Sequence, residues 1–345
     1  IMNLASGRGD TTESLILNKN ITHYNLYGSP NPQQLAKKLN QLQKIAERSR
    51  LGIPLTISSD PIHEVPRGGG VAAFSLKGFS KWPSQLGFAA TRQPEIIKEF
   101  AEIAREEYLS VGLRTALHPM SDLATEPRWS RNFGTFGSNA DLSSDFTIAY
   151  MDGFQGKKIN SNSVLTMVKH FPGGGPQEEG FDPHLYSGQN QVYPGNNFEY
   201  HLKPFKRAIN NNLKVIMPYY GIPVDQTSEN VAMAYNKDIL THLLRDKLGY
   251  DGVICTDWGI ITGRHWGVGD LTLRERYKKS IDAGVDQYGG ESSPEFLVDL
   301  VKKNEISEDR INYSVKKILI NKFELGLFDN PFVDENLVAK RVGTE

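Results

Sequence analysis

The stretch Val164-Leu165-Thr166-Met167-Val168-Lys169-His170-Phe171 is almost wholly apolar through Val168, then turns basic and aromatic before Pro172-Gly173-Gly174-Gly175. A short run of this kind, without polar alternation, reads as a strand buried on both faces, as in a parallel sheet. Working outward, comparable runs occupy residues 21–27, 53–58, 113–118, 214–219, 252–256 and 285–288, each ending in polar or aromatic residues. Segments of helical period separate them. Asn31-Pro32 offers an N-cap and an N1 proline before the stripe Leu35, Leu39, Leu42 and Ala46. Phe100, Ile103, Ala104 and Tyr108 make a second apolar stripe, and Ile239, Leu243, Leu244 and Leu248 a third, stopped by Gly249. Strand and helix alternating in this way predict an α/β chain, a (β/α)8 TIM-barrel-like domain over residues 1–330.

Composition narrows the function classes. Lysine plus arginine (39) balances aspartate plus glutamate (40), so no net field draws the chain to nucleic acid or an anionic membrane. The single cysteine, Cys255, excludes an internal disulfide and any multi-cysteine metal site. No run of about 18 apolar residues is present to span a bilayer. The histidines lack ligand spacing, and the glycine triplets 68–70 and 173–175 lack the helix-opening spacing of a phosphate loop. Neither a metal nor a nucleotide is expected.

Chemistry is then sought at the strand ends. Asp257 closes the run Val253-Ile254-Cys255-Thr256, with Trp258 beside it to border a pocket; as a strand-end carboxylate it reads equally as a reactive group or a helix cap. Asp60 closes residues 53–59 in the same manner, with the same two readings. Lys169 and His170 end a third strand, and both reach one site only where the strand ends and twists, because neighbouring side chains on a strand face opposite ways. Arg131 is a further cationic candidate. Residues 173–197 are rich in Gly, Pro, Asn and Gln without clear period, an extended loop that holds Asp182-Pro183-His184, a carboxylate–imidazole pair or a turn. The last helical pattern spans 307–323, and the polar end, 340–345, has the character of a linker.

Taken together these segments resemble the N-terminal barrel of glycoside hydrolase family 3. The likeness rests on Arg50-Leu51-Gly52-Ile53-Pro54 leading to Ser58-Ser59-Asp60, Glu126-Pro127-Arg128-Trp129-Ser130-Arg131, Lys169-His170-Phe171-Pro172-Gly173, Asn236 with Leu244-Arg245-Asp246-Lys247-Leu248-Gly249-Tyr250-Asp251-Gly252, and Thr256-Asp257-Trp258, in that order. The resemblance implies a retaining, exo-acting β-glycosidase of β-glucosidase type that needs no cofactor and acts on oligosaccharides or glycosides. It makes Asp257 the nucleophile, and Asp60, Arg131, Lys169, His170 and Tyr219 the residues around the terminal sugar.

It further implies that the acid/base lies outside this chain, on a second α/β sandwich domain reached through a linker beginning at 331–345, and that the protein is secreted or periplasmic. Two departures stand out. Gly134 replaces a glutamate common in the family. Asp182-Pro183-His184 loosely resembles the Asp-x-His acid/base of the β-N-acetylhexosaminidase branch, which leaves that activity, and a non-catalytic sugar-binding barrel, as alternatives.

Overall fold

The computed structural model describes residues 11–28, 30–65 and 76–344. The glycine triplet 68–70 lies outside them. Six strands form one parallel sheet in the order β1 (His23–Asn25), β2 (Thr56–Ser59), β3 (Thr115–Ala116), β4 (Leu165–Phe171), β6 (Val215–Pro218), β8 (Val253–Ile254). A second parallel pair, β5 (Asn190–Gln191) with β7 (Ile222–Pro223), lies in the loops above it. Register runs His23↔Thr56, Ser59↔Ala116, Ala116↔Thr166, Met167↔Val215 and Ile216↔Ile254, so all six carboxyl ends point to the same rim. The sheet curls as in a TIM-like α/β barrel. The run at 285–288 contributes a single bridge, Cys255↔Gln287. Among the described residues no ladder joins Gln287 to His23, and that seam is the barrel's open side.

The helices follow from their caps. Asn31 Oδ1 accepts the Gln34 amide (2.8 Å) and Pro32 sits at N1, starting α2 (Pro32–Glu47), which buries Leu35, Leu39, Leu42 and Ala46. Pro94 opens α4 (Pro94–Val111), and Gly112, at φ 89°, ends it. Phe100, Ala104 and Tyr108 face the core, but Ile103 of the expected stripe faces solvent, because α4 turns its buried face toward Ile97, Ala101 and Ala104. The third stripe winds with π-helical pitch over Asp238–Lys247; Ile239 and Leu244 are buried, Leu243 and Leu248 partly so. The other helices, in chain order, are α1 (Thr12–Lys19), α3 (Gln85–Thr91), α5 (Ala140–Gln155), α6 (Phe198–Asn210), α7 (Leu273–Ala283), α8 (Glu295–Lys302), α9 (Glu308–Glu324) and the short α10 (Val338–Arg341).

Two charged groups tie the scaffold together. The fully buried Asp286 carboxylate accepts the Ile254 amide (2.9 Å), Arg245 Nη2 (2.6 Å) and the Ser314 hydroxyl (2.6 Å), joining β8 to α9 and the π-wound segment. The Glu107 carboxylate, on α4, accepts from His63 Nε2 (2.6 Å), the Ser80 hydroxyl (2.9 Å) and the Gly343 amide (2.6 Å). That last bond belongs to a segment expected to begin a linker. Residues 331–343 lie against α2 and α4: Val338 and Val342 are buried, and Asn40 Nδ2 donates to the Val333 carbonyl (2.9 Å).

Candidate active site

The end of β4 supplies Lys169 and His170, joined by a cis peptide bond, and a register shift follows between Lys169 and Phe171. Both side chains enter the same rim. Lys169 Nζ donates to Asp60 Oδ1 at 3.1 Å, while His170 Nε2 stands 3.8 Å from Asp257 Oδ2. Asp60 Oδ2 also accepts from Asn25 Nδ2 (3.3 Å), so the ends of β1, β2 and β4 meet at one carboxylate. Asp257 is 8 % exposed, and its Oδ1 accepts the amide of Trp258 (2.7 Å). Burial would raise its carboxyl, but His170, His184, Lys169 and the Tyr220 hydroxyl outweigh that and hold it below the ordinary aspartate value. A carboxylate so held is ionised at neutral pH.

Behind His170 lies Asp122, which the strand-end reading passed over. After β3 the chain runs beside β4, pairing Met120 with Lys169 and donating the Ser121 amide to the Lys169 carbonyl (2.6 Å). That course delivers Asp122, wholly buried, to His170: Oδ2 takes Nδ1–H at 2.7 Å, and the His170 and Gly174 amides also donate to the carboxylate. Burial would lift Asp122, yet His170, the Gly174 amide and Arg131 keep it below the usual range. Burial brings the His170 imidazole down to about 4, with Arg131 assisting and Asp122 opposing. Above that pH the ring is neutral, Nδ1–H points to Asp122, and the Nε2 lone pair points into the site. The glycines after His170 permit this approach. A Cβ on Gly174 would meet Asp122 Oδ1 and the Tyr219 ring at 2.8 Å, and one on Gly175 would lie 1.7 Å from the Leu123 carbonyl oxygen.

Arg131 and Tyr219 form the opposite wall. Arg131 is 5 % exposed; its Nη1 donates to Tyr219 Oη (3.0 Å) and approaches His170 Nε2 (3.4 Å). Burial would weaken its charge, but Tyr219, Asp182, Asp257 and Asp122 reinforce it. Tyr219, held far above the ordinary phenol value by burial, donates to Asp182 Oδ2 (3.1 Å), and its ring lies 4.2 Å from that of His170. The space that a side chain at Gly134 would enter is taken by Met120, whose sulfur lies 2.9 Å from such a Cβ.

The loop pair is real in geometry. Asp182 Oδ1 accepts from His184 Nδ1 (2.5 Å) and the His184 amide (2.9 Å), and Trp129 Nε1 donates to Oδ2 (2.9 Å). Burial would raise Asp182; the His184 ring and amide with Arg131 hold it far below its usual value. His184 packs against Tyr220, ring centroids 4.8 Å apart, and the Tyr220 hydroxyl donates to the Trp258 carbonyl (2.6 Å), which places the imidazole on the same side as Asp257. Arg264, also unforeseen, lies over the Tyr220 ring (4.9 Å) and donates to the Trp258 carbonyl (3.0 Å). Trp258 itself turns from Asp257. Its ring lies on the backbone of Gly289 and Gly290 and borders a mostly apolar cavity of about 330 Å³ inside the barrel, whose walls include none of Asp60, Lys169, His170 and Asp257. Among the described residues no group of three or more acidic, histidine or cysteine side chains is arranged to hold a metal ion, and no helix is long and apolar enough to cross a membrane.

A curled parallel barrel that brings one ionised aspartate, an acid–lysine pair and an oriented neutral imidazole together at its strand ends has its polar groups where barrels of this class carry their sites. Residues 9–320 match the glycosyl hydrolase family 3 N terminal domain, and the chain belongs to that family. Beta-glucosidase C of Emericella nidulans is 50 % identical over 349 residues, 98 % of this chain and 56 % of the relative. The periplasmic beta-glucosidase/beta-xylosidase of Dickeya chrysanthemi is 40 % identical, over 91 % of this chain and 52 % of its own length. A β-glucosidase involved in saponin metabolism from intestinal bacteria superposes with a TM-score of 0.76 at 26 % identity, covering 97 % of this chain and 42 % of that one. The chain thus spans about half the length of the curated relatives it matches.

Proposed function

We propose that this barrel is the nucleophile-bearing part of a retaining, exo-acting β-glycosidase of β-glucosidase type. The observation that carries the reading is the ionised Asp257 carboxylate set 3.8 Å from His170, beside the hydroxyl-binding groups Asp60, Lys169, His170 and Arg131. A terminal pyranose gripped by those groups presents its anomeric carbon to Asp257 Oδ2. Attack forms a glycosyl ester as the bond to the leaving oxygen breaks and that oxygen takes a proton from the acid; water then cleaves the ester, giving its proton to the same group acting as base. Two displacements return the original anomeric configuration. The acid/base lies on a second domain of the full-length protein, a placement supported by relatives nearly twice as long. Export from the cytosol is part of the same reading, supported by the relative named periplasmic.

Covalent trapping tests it. A 2-deoxy-2-fluoro aryl β-glucoside, whose leaving group needs little protonation, should add one glycosyl mass to a peptide containing Asp257. An Asp257→Ala variant should lose both the adduct and turnover, and full activity in that variant ends the proposal; a parent that binds glucoside without labelling favours a sugar-binding barrel. The geometry of Asp182 and His184 favours a second reading, in which His184 is the proton donor within this chain, as in a β-N-acetylhexosaminidase. His184→Gln would then slow a poor leaving group far more than dinitrophenolate.

A further inference from the structure

On the curled sheet β1 borders β2, which leads to Asp60, and the open seam, across which β8 leads to Asp257. Side chains alternate along a strand. Tyr24 and Leu26 go outward into the core shared with α2 and α4, whereas Asn25 goes inward, donating to Asp60 Oδ2 (3.3 Å) and accepting the Ser58 hydroxyl (3.2 Å). The Leu26 amide still donates to the Ser58 carbonyl (2.8 Å), so the alternation continues and Tyr27 follows Asn25 inward, one step nearer the mouth. There its side chain hydrogen-bonds with that of Asn25, and its hydroxyl lies in the fields of Asp60, Asp257 and Arg264. The ring is partly exposed, as a group on the edge of a pocket is. Burial and the two carboxylates raise the phenol above its ordinary value, so it keeps its proton and can both donate and accept.

We infer that Tyr27 reads the substituent on carbon 5 of the terminal sugar and selects hexopyranosides, which carry a hydroxymethyl group there, over pentopyranosides, which carry hydrogen. The inference rests on the glycosidase reading above and adds what sets the class of sugar. With the anomeric carbon at Asp257 and the far end of the ring at the Asp60–Lys169 pair, the two long edges of the pyranose face opposite ways. His170 and Arg131, on the side of β3 and β4, suit the edge that bears the hydroxyls of carbons 2 and 3. The other edge, with the ring oxygen and carbon 5, then falls to the β1 side, where Tyr27 stands. A C6 hydroxyl placed there can pair with the phenol and with the neighbouring Asp60.

In the full-length protein, kcat/KM would be measured for the 4-nitrophenyl β-glucoside, β-xyloside and 6-deoxy-β-glucoside, in the parent and in Tyr27→Phe. The three share one leaving group, so only the sugar differs, and any unfolded fraction of the variant cancels from their ratios. The glucoside-to-xyloside ratio should fall about 3- to 10-fold in Tyr27→Phe, the value of one hydrogen bond. Removing the C6 hydroxyl should cost the parent more than the variant by about the same factor. An active parent whose ratios survive in Tyr27→Phe overturns the role of Tyr27 and leaves the glycosidase reading standing. A parent that cleaves the xyloside alone, or a variant that loses all three substrates equally, also overturns it. A parent inert on all three removes the glycosidase reading, and the inference with it.

Discussion

Asp122→Asn is the sharpest perturbation available, because it changes one oxygen for an amide of nearly equal size. The native carboxylate is wholly buried and accepts from the His170 ring, the His170 amide and the Gly174 amide. An asparagine keeps one acceptor oxygen and turns an NH2 group toward donors, so at least one of these N–H groups loses its partner. Leaving a buried donor unpaired costs about 1–3 kcal/mol, and the charge-assisted bond to Nδ1 is lost as well. We expect a loss of about 3 kcal/mol in unfolding free energy. The imidazole also receives conflicting instructions: an amide NH2 turned to Nδ1 favours the Nε2–H tautomer, while Arg131 Nη1, 3.4 Å from Nε2, still favours the other. If His170 contacts a sugar hydroxyl, kcat/KM should drop about 10- to 100-fold, the value of one good hydrogen bond. Urea unfolding and turnover of an aryl β-glucoside measure the two effects. His170→Asn and the double variant close the cycle, and the two losses should overlap rather than add. Parental stability together with parental kcat/KM in Asp122→Asn would refute the reasoning.

Acid should weaken the fold through the same imidazole. His170 and His201 are each lowered by burial to about 4, so between about pH 6.5 and 4 the unfolded chain binds protons that the folded one refuses. Stability is therefore full above that window and lost as pH falls through it, by up to about 3 kcal/mol per ring; a urea midpoint that is level from pH 7 to 4.5 contradicts this. Gly175→Ala should destabilise by about 3 kcal/mol, since the new methyl carbon would overlap the Leu123 carbonyl; an unchanged melting temperature would show that the loop relaxes freely.

The strand ends were legible because a short apolar run between helical segments has few other uses, and parallel strands in a barrel share one rim. That argument reached Asp60, Lys169, His170 and Asp257 from the residues alone. It missed Asp122, which stands six residues past Ala116 in irregular chain and acts only because that chain runs back along β4. It also missed Arg264, whose partner is the Tyr220 ring contributed by another unit. Trp258 was read as a pocket wall from adjacency to Asp257, yet neighbouring side chains diverge and the glycines at 289 and 290 make a berth elsewhere. Ile103 shows the limit of counting: helical spacing fits several registers, and only packing selects the face. Of the end read as polar, 340–345, Val342 is buried, and with Val338 it packs into the cluster that α2 and α4 build.

The mooring of β8 has a consequence for motion. On one flank the strand is held by the backbone of β6, and on the other the Asp286 carboxylate grasps the Ile254 amide where strand pairing is sparse. The unladdered seam between Gln287 and His23 can therefore breathe as a hinge on its own while Asp257 stays put. Deuterium should enter the amides beside that gap long before it reaches Ile254.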